Sequence, residues 1–205
     1  MAKLYFYYAA MNAGKSTTLL QADYNYRERG METMLWTAAH DDRSGSGTVG
    51  SRIALSAPAA TYSDEINLFS AIVAELLKRK LDCILVDEAQ FLTRDHVLQL
   101  CRIADELKIP VLCYGLRTDF QGNLFPGSAA LLALADNLIE LKAVCECGRK
   151  ATMNLRVDAT GHAVAAGAQT EIGGNDRYLA LCRRHFFERL RESEARQLRL
   201  DLPNR

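Results

Sequence analysis

The chain has 205 residues, 49% of them apolar, and its 25 Lys and Arg balance 25 Asp and Glu. That length suits one globular domain with a small appendage, and the balance of charge excludes recruitment to nucleic acid or an anionic membrane by the overall field. There is no internal repeat and no low-complexity segment.

No apolar run approaches the roughly 20 residues that a membrane helix needs, and no basic stretch precedes a leader-like segment. A cytoplasmic location with no membrane partner is the expectation. Six cysteines in such a chain point to thiols or metal ligands rather than a disulfide framework.

Leu4-Tyr5-Phe6-Tyr7-Tyr8 is an apolar strand. It runs into Ala9-Ala10-Met11-Asn12-Ala13-Gly14-Lys15-Ser16-Thr17, and a half-buried helix is predicted from Thr17 to Arg29. A strand, a tight loop ending in Gly-Lys-Ser, and a helix together form a phosphate-binding loop. Its backbone N–H groups and helix N-terminus face an anion, the Lys adds a point charge, and the Ser hydroxyl can hold Mg²⁺. The ligand implied is a nucleoside triphosphate, although Ala9 stands where the pattern has Gly.

Gly30 ends the helix and Met31 to Thr37 reads as a second strand. The polar, glycine-rich loop from His40 to Gly47 could bring Arg43 to a triphosphate or simply be solvated. Ser63-Asp64-Glu65 looks like a helix start, with Ile66, Phe69, Ile72, Val73, Leu76 and Leu77 as its apolar stripe. Cys83-Ile84-Leu85-Val86 is short and wholly apolar, as a parallel strand covered on both faces should be.

Asp87 and Glu88 follow directly. A carboxylate ending an apolar strand holds hydrated Mg²⁺ beside the loop Ser in proteins of this type, which assigns Asp87 with Ser16 to that ion. Consecutive side chains diverge, so Glu88 is placed to act as general base.

Thr93 caps a further helix to about Leu107. A strand follows over Val111-Leu112-Cys113-Tyr114, then a loop over 115–122, a helix from Ser128 to Ala135 and a strand over Leu138-Ile139-Glu140-Leu141. Cys83, Cys101 and Cys113 fall on apolar faces and read as core. The alternation predicts an α/β chain with a P-loop NTPase-like parallel sheet flanked by helices, its ligands at the C-terminal ends of the strands.

Beyond Lys142 the character changes to a small β-rich appendage. Cys145-x-Cys147 and Cys182-x-x-His185 form two close pairs separated by 34 residues. Three thiolates and an imidazole make a closed tetrahedral set for Zn²⁺, whose role is structural because no open position remains. An ATP-driven nucleic-acid module is a competing reading, supported by Arg184, Arg189, Arg191 and Arg196 in the tail. Interleaved Glu188, Glu192 and Glu194 favour a solvated helix instead.

Four stretches together resemble the type II thymidine kinases, the zinc-containing class of cytoplasmic deoxynucleoside kinases. They are Met11 to Thr17, Asp87-Glu88-Ala89-Gln90-Phe91, the two metal pairs, and Ile172-Gly173-Gly174-Asn175-Asp176-Arg177-Tyr178. The resemblance implies transfer of the γ-phosphate of ATP to the 5′-hydroxyl of thymidine, and of deoxyuridine, in a homotetramer that takes no nucleic acid. ATP contacts are then expected from Ala9, Ala10, Met11, Asn12, Ala13, Gly14, Lys15, Ser16, Asp87, Glu88, Ala89 and Gln90, with Asp41 and Arg43 near the phosphates.

The same resemblance assigns the nucleoside to Phe120, to Gln169, Thr170, Glu171, Ile172 and Gly173, and to Tyr178. The change of character beyond Lys142 divides the chain into a nucleotide-binding domain over 1–141, a zinc-binding segment over 142–190 that the resemblance places over the substrate, and a tail over 191–205.

Overall fold

The computed structural model describes residues 1–41, 45, 47–169 and 177–200, without the side chains of 194 and 196–200. In chain order the elements are β1 (Leu4–Ala9), α1 (Lys15–Glu28), β2 (Thr33–Ala38), β3 (Thr48–Gly50), β4 (Ser56–Pro58) and β5 (Ala60–Tyr62). Then come α2 (Leu68–Leu76), β6 (Cys83–Val86), a 3₁₀ turn (Ala89–Phe91), α3 (Arg94–Glu106), β7 (Val111–Leu116), α4 (Pro126–Leu134) and β8 (Asn137–Glu140). The last are β9 (Ala143–Val144), β10 (Lys150–Ala151), β11 (Met153–Arg156), β12 (Tyr178–Leu181) and α5 (Arg183–Leu200).

Two compact units result. The first comprises 1–8, 14–117 and 125–141, and the second 9–13, 118–124 and 142–205.

The first unit is built on a six-stranded sheet in the order β5-β2-β6-β7-β1-β8, with parallel pairing. In β6 all four residues are buried, and they alternate between two cores. Ile84 and Val86 pack in the cluster that includes Leu68 and Ile72 of α2, Val97, Leu100 and Ile103 of α3 and Leu131 of α4. Cys83 and Leu85 pack in the other, with Leu19 and Leu20 of α1 and Val49 of β3. Such a strand has no solvent face, which is why it shows no polar alternation. Cys113 is likewise buried, and Cys101 is half-buried against the same core.

Several local expectations need correction. The helix after β1 begins at Lys15, two positions before Thr17, because Gly14 caps it in a left-handed conformation. On this half-buried helix Tyr24 is exposed. Ser63 does not open a helix. It forms a turn, with the Ile66 N–H donating to its carbonyl at 3.1 Å, and Asn67 is the cap, its side chain accepting from the Ser70 N–H at 2.8 Å. Gln99 also accepts from the Leu68 N–H at 2.7 Å, so two side chains fix the later start. Leu77, expected in the apolar stripe, is the C-cap residue and is exposed.

Thr93 caps α3 as anticipated, and His96 supplies the reciprocal bond of the capping box.

Helix α4 approaches the 3₁₀ turn through Gly127. A Cβ there would lie 2.4 Å from the Ala89 carbonyl oxygen, 2.8 Å from that of Leu92 and 2.9 Å from that of Gln90. All three are backbone atoms, so an added methyl must displace the segment that follows Asp87-Glu88. Gly127→Ala is expected to cost about 1–3 kcal/mol in urea unfolding, and an unchanged midpoint would contradict the close approach.

The second unit has a small core centred on Leu155, Leu181 and Phe186, with Ala10, Ala143, Ala151, Met153 and Val157 around them. It contains the antiparallel pairs β9–β10 and β11–β12. All four residues of β11 are buried, including Asn154 and Arg156.

Candidate active site

Strand β6 carries the chain to Asp87, whose N–H continues the ladder to the Trp36 carbonyl at 2.8 Å. The Asp87 carboxylate is buried and accepts a hydrogen bond from Ser16 at the start of α1. Among the described residues its buried Oδ1 has no hydrogen-bond partner. An ionised oxygen in that state is costly unless a cation completes it. The pairing of this orphaned oxygen with the loop Ser therefore fits Mg²⁺, which takes one or two carboxylates and the oxygens of a bound phosphate.

Burial and then the Glu88 charge push Asp87 up to about 7, against opposing pulls from Ser16 and Lys15. The folded apo chain thus holds this proton more tightly than the unfolded chain. The group's contribution to stability is full below its ordinary value of 3.8 and is lost as pH climbs toward 7. Asp87→Asn should therefore melt above the wild-type apo protein by a margin that widens between pH 4 and 7. Calorimetry across that range checks it, and a margin independent of pH would refute it.

Glu88 sits at φ 52°, in the left-handed region, which costs a residue with a Cβ about 1–2 kcal/mol. Three contacts hold it there. The Phe91 N–H donates to its carbonyl at 3.0 Å, the buried Tyr62 hydroxyl donates to the same carbonyl at 2.8 Å, and the Gln90 amide N–H donates to the side-chain carboxylate. Gln90 is fully buried, and its Oε1 accepts from the Leu116 N–H at 3.0 Å. Hydrogen bonds to a charged group are worth about 1.5–3 kcal/mol each, enough to offset the strain.

In the phosphate-loop segment, Gly14 has φ 76° and Asn12 has φ 66°. Ala9 is not among the residues with positive φ, so its methyl meets no backbone penalty where the pattern has Gly. Gly14 needs its freedom for conformation rather than space, since a Cβ there would meet nothing within 4 Å. Lys15 and Ser16 follow at the first turn of α1, and Asp41 lies just after β2, its N–H on the Ala38 carbonyl at 3.0 Å.

Within the second unit, Ala10 is in the core and the Met11 N–H donates to Asn154 Oδ1 at 2.7 Å. The Nδ2 of Asn154 donates to the Thr118 carbonyl at 3.0 Å. One buried amide thereby braces residues 9–13 and 118–124 on strand β11.

Phe120 is buried, with the Arg156 guanidinium 3.6 Å from its ring centroid. Asp119 ties its turn together by accepting from the N–H groups of Gln121 and Asn123, each at 2.9 Å. Its other oxygen accepts from Gln169 Nε2 at 3.0 Å. Tyr178 opens β12 opposite Arg156. Arg43, Thr170, Glu171, Ile172 and Gly173 lie outside the described residues.

Gln90, Tyr62, Asn154 and Arg156 carry contacts that the motifs do not announce. Only the polar residues inside the run Met153-Asn154-Leu155-Arg156-Val157 hint at them, and on a strand pattern those would be expected to face solvent.

The metal pairs do converge. Donor atoms of Cys145, Cys147, Cys182 and His185 all lie within 4.8 Å of one another. Cys145 Sγ is 3.3 Å from His185 Nδ1 and Cys147 Sγ is 3.9 Å from Cys182 Sγ. Tetrahedral zinc, with Zn–S near 2.3 Å and Zn–N near 2.0–2.1 Å, requires S···N edges of about 3.6 Å and S···S edges of about 3.8 Å, so the set fits the ion.

The first pair sits on a turn closed by the Cys145 N–H to the Arg149 carbonyl and the Gly148 N–H to the Cys145 carbonyl, both 2.8 Å, with Gly148 at φ 77°. The second lies where β12 ends and α5 begins. Burial pushes the Cys145 thiol up, yet N–H groups of Cys147 and Cys182 and the His185 ring outweigh it and bring it to about 6. That leaves a thiolate, the form a metal binds. Among the described residues no helix is long and apolar enough to cross a membrane.

The family model described as thymidine kinase matches residues 2–186. A thymidine kinase of Novosphingobium aromaticivorans is 71% identical over 188 residues, covering 92% of this chain and 98% of that protein. One from Zymomonas mobilis is 62% identical over 190 residues, covering 93% and 98%. One from Yersinia pseudotuberculosis is 59% identical over 191 residues, covering 93% and 97%. With its sheet, its strand-end acids and its Cys/His cluster in place, the chain belongs to the thymidine kinase family.

Proposed function

We propose that the chain transfers the γ-phosphate of ATP to the 5′-hydroxyl of thymidine, and of deoxyuridine, with Glu88 as general base. The observation that carries this is the Asp87-Glu88 pair after β6, where one carboxylate bonds Ser16 and leaves an oxygen orphaned while the next is held in a strained, braced conformation.

Backbone N–H groups of 9–14 and the Lys15 ammonium bind and orient the triphosphate. Ser16 and Asp87 would hold Mg²⁺, which supplies positive charge against the phosphate oxygens when bound with ATP. Asp41 and Arg43 act near the phosphates, as do Ala89 and Gln90 through the backbone. Glu88 accepts the proton of the 5′-hydroxyl as its oxygen attacks the γ-phosphorus, and the bond from that phosphorus to the β–γ bridging oxygen breaks, releasing ADP. Phe120 contacts the thymine ring, and main-chain groups of 169–173 with Tyr178 read its edge and exclude water.

Zn²⁺ on Cys145, Cys147, Cys182 and His185 has a structural role. We place the nucleotide-binding domain at 1–141, the substrate-covering segment at 142–190 and the tail at 191–205. A cytoplasmic homotetramer serving pyrimidine salvage and DNA precursor synthesis completes the reading.

The test is to incubate the zinc-loaded protein with ATP, Mg²⁺ and thymidine and to follow nucleoside monophosphate. Thymidine monophosphate supports the assignment. Its absence, with ATP consumed or not, rejects it.

A further inference from the structure

We propose that Gln90 is a positioning residue for the reaction, setting the Glu88 carboxylate rather than contacting nucleotide with its side chain; this rests on Glu88 being the base. Both ends of its amide are committed inside the protein. Nε2 donates to Glu88 Oε2, and Oε1 accepts from the Leu116 N–H at 3.0 Å. The side chain is 0% exposed.

The surrounding chain is shaped to admit it. Gly115 of β7 faces Gln90, and a Cβ at 115 would stand 2.9 Å from both the Gln90 backbone nitrogen and Oε1. Gly127 leaves room for the Gln90 carbonyl on the other side, where a Cβ would stand 2.9 Å from it. The amide therefore forms a strut from the end of β7 to the Glu88 carboxylate, while Tyr62 fixes the Glu88 backbone from β5. The Glu88 carboxylate belongs to a left-handed residue at a turn, and the strut gives it a donor whose own position is fixed at its other end.

A near-isosteric Gln90→Met removes both bonds while keeping volume. It is expected to lower kcat by about ten- to hundredfold with KM for thymidine and for ATP changed less than about twofold, since misplacement of a reacting group costs rate rather than binding. Gln90→Glu retains the acceptor for Leu116 but loses the donor, and is expected to lower kcat at least as far. It also serves if the Met variant does not fold.

The cycle with Glu88→Gln decides the route of action. If Gln90 works through Glu88, adding Gln90→Met to Glu88→Gln costs less than about twofold more. A full additional loss in that background, or a change confined to KM for ATP, would overturn the inference. Should Glu88→Gln itself stay active, the base assignment falls. Crystal structures of Gln90→Met then decide separately whether Gln90 sets the carboxylate, a Glu88 side chain unmoved in the variant counting against it.

Discussion

Glu88→Gln is expected to lower kcat for thymidine phosphorylation by about a hundred- to ten-thousandfold, the range over which a positioned base contributes. Gln preserves size and can still meet Gln90 through its carbonyl oxygen, so the fold around the left-handed turn should persist. What it cannot do is accept the hydroxyl proton. KM for thymidine should change little, because the lost interaction matters only as the proton moves.

Steady-state kinetics on variant protein with unaltered melting behaviour provide the measurement. A variant within tenfold of wild type would remove Glu88 as base and leave Asp87 as the nearest carboxylate. Glu88→Asp adds a useful comparison. It keeps the acid but shortens the reach, and an intermediate loss is the expected result.

The second large effect concerns the metal cluster. Stripping zinc with a strong chelator, or introducing Cys182→Ser, is expected to unfold the second unit. Its core is small and rich in Ala, and a core of that size cannot by itself offset the ordering of four short strands. Structural zinc contributes about 10–16 kcal/mol in small metallo-domains at neutral pH, far more than the exposed Arg189–Glu146 pair beside the cluster can supply.

Hydrogen exchange should show loss of protection in β9 to β12 while β6 and β7 stay protected, and one zinc per chain should be released. Protection in β11 and β12 that survives complete metal removal would show that packing alone suffices. Loss of kinase activity alongside the unfolding is expected, because Asn154 braces the Met11 N–H and the Thr118 carbonyl from β11.

What the sequence made legible follows from how local its signals are. Gly-Lys-Ser after an apolar strand, four apolar residues ending in Asp, and two close Cys/His pairs each announce themselves within a few positions. The core residues Leu4, Phe6, Ile72, Ile84 and Val86 were readable from period and run length.

The late start of α2 was not, because it depends on Gln99, distant in sequence, accepting the Leu68 N–H. Nor were β3, β4 and β5. Each has three residues, and Gly50, Ser56 and Pro58 dilute any strand pattern. The bracing around Glu88 was illegible for a deeper reason. Tyr62, Gln90, Leu116 and Gly127 lie far apart along the chain, and only the sheet order brings them to one turn.

The sheet order also governs how the chain can fold during synthesis. Strand β1 lies between β7 and β8, so the earliest strand to leave the ribosome pairs only with two of the last in the sheet. At about 5–20 residues per second it waits roughly 5 to 25 seconds for 111–140 to be made. Through that interval Tyr5, Phe6, Tyr7 and Tyr8 have no sheet to enter, while β2 and β6 can already pair with one another. Its most aromatic segment therefore stays without sheet partners through about half of the synthesis of these 205 residues, until β7 arrives.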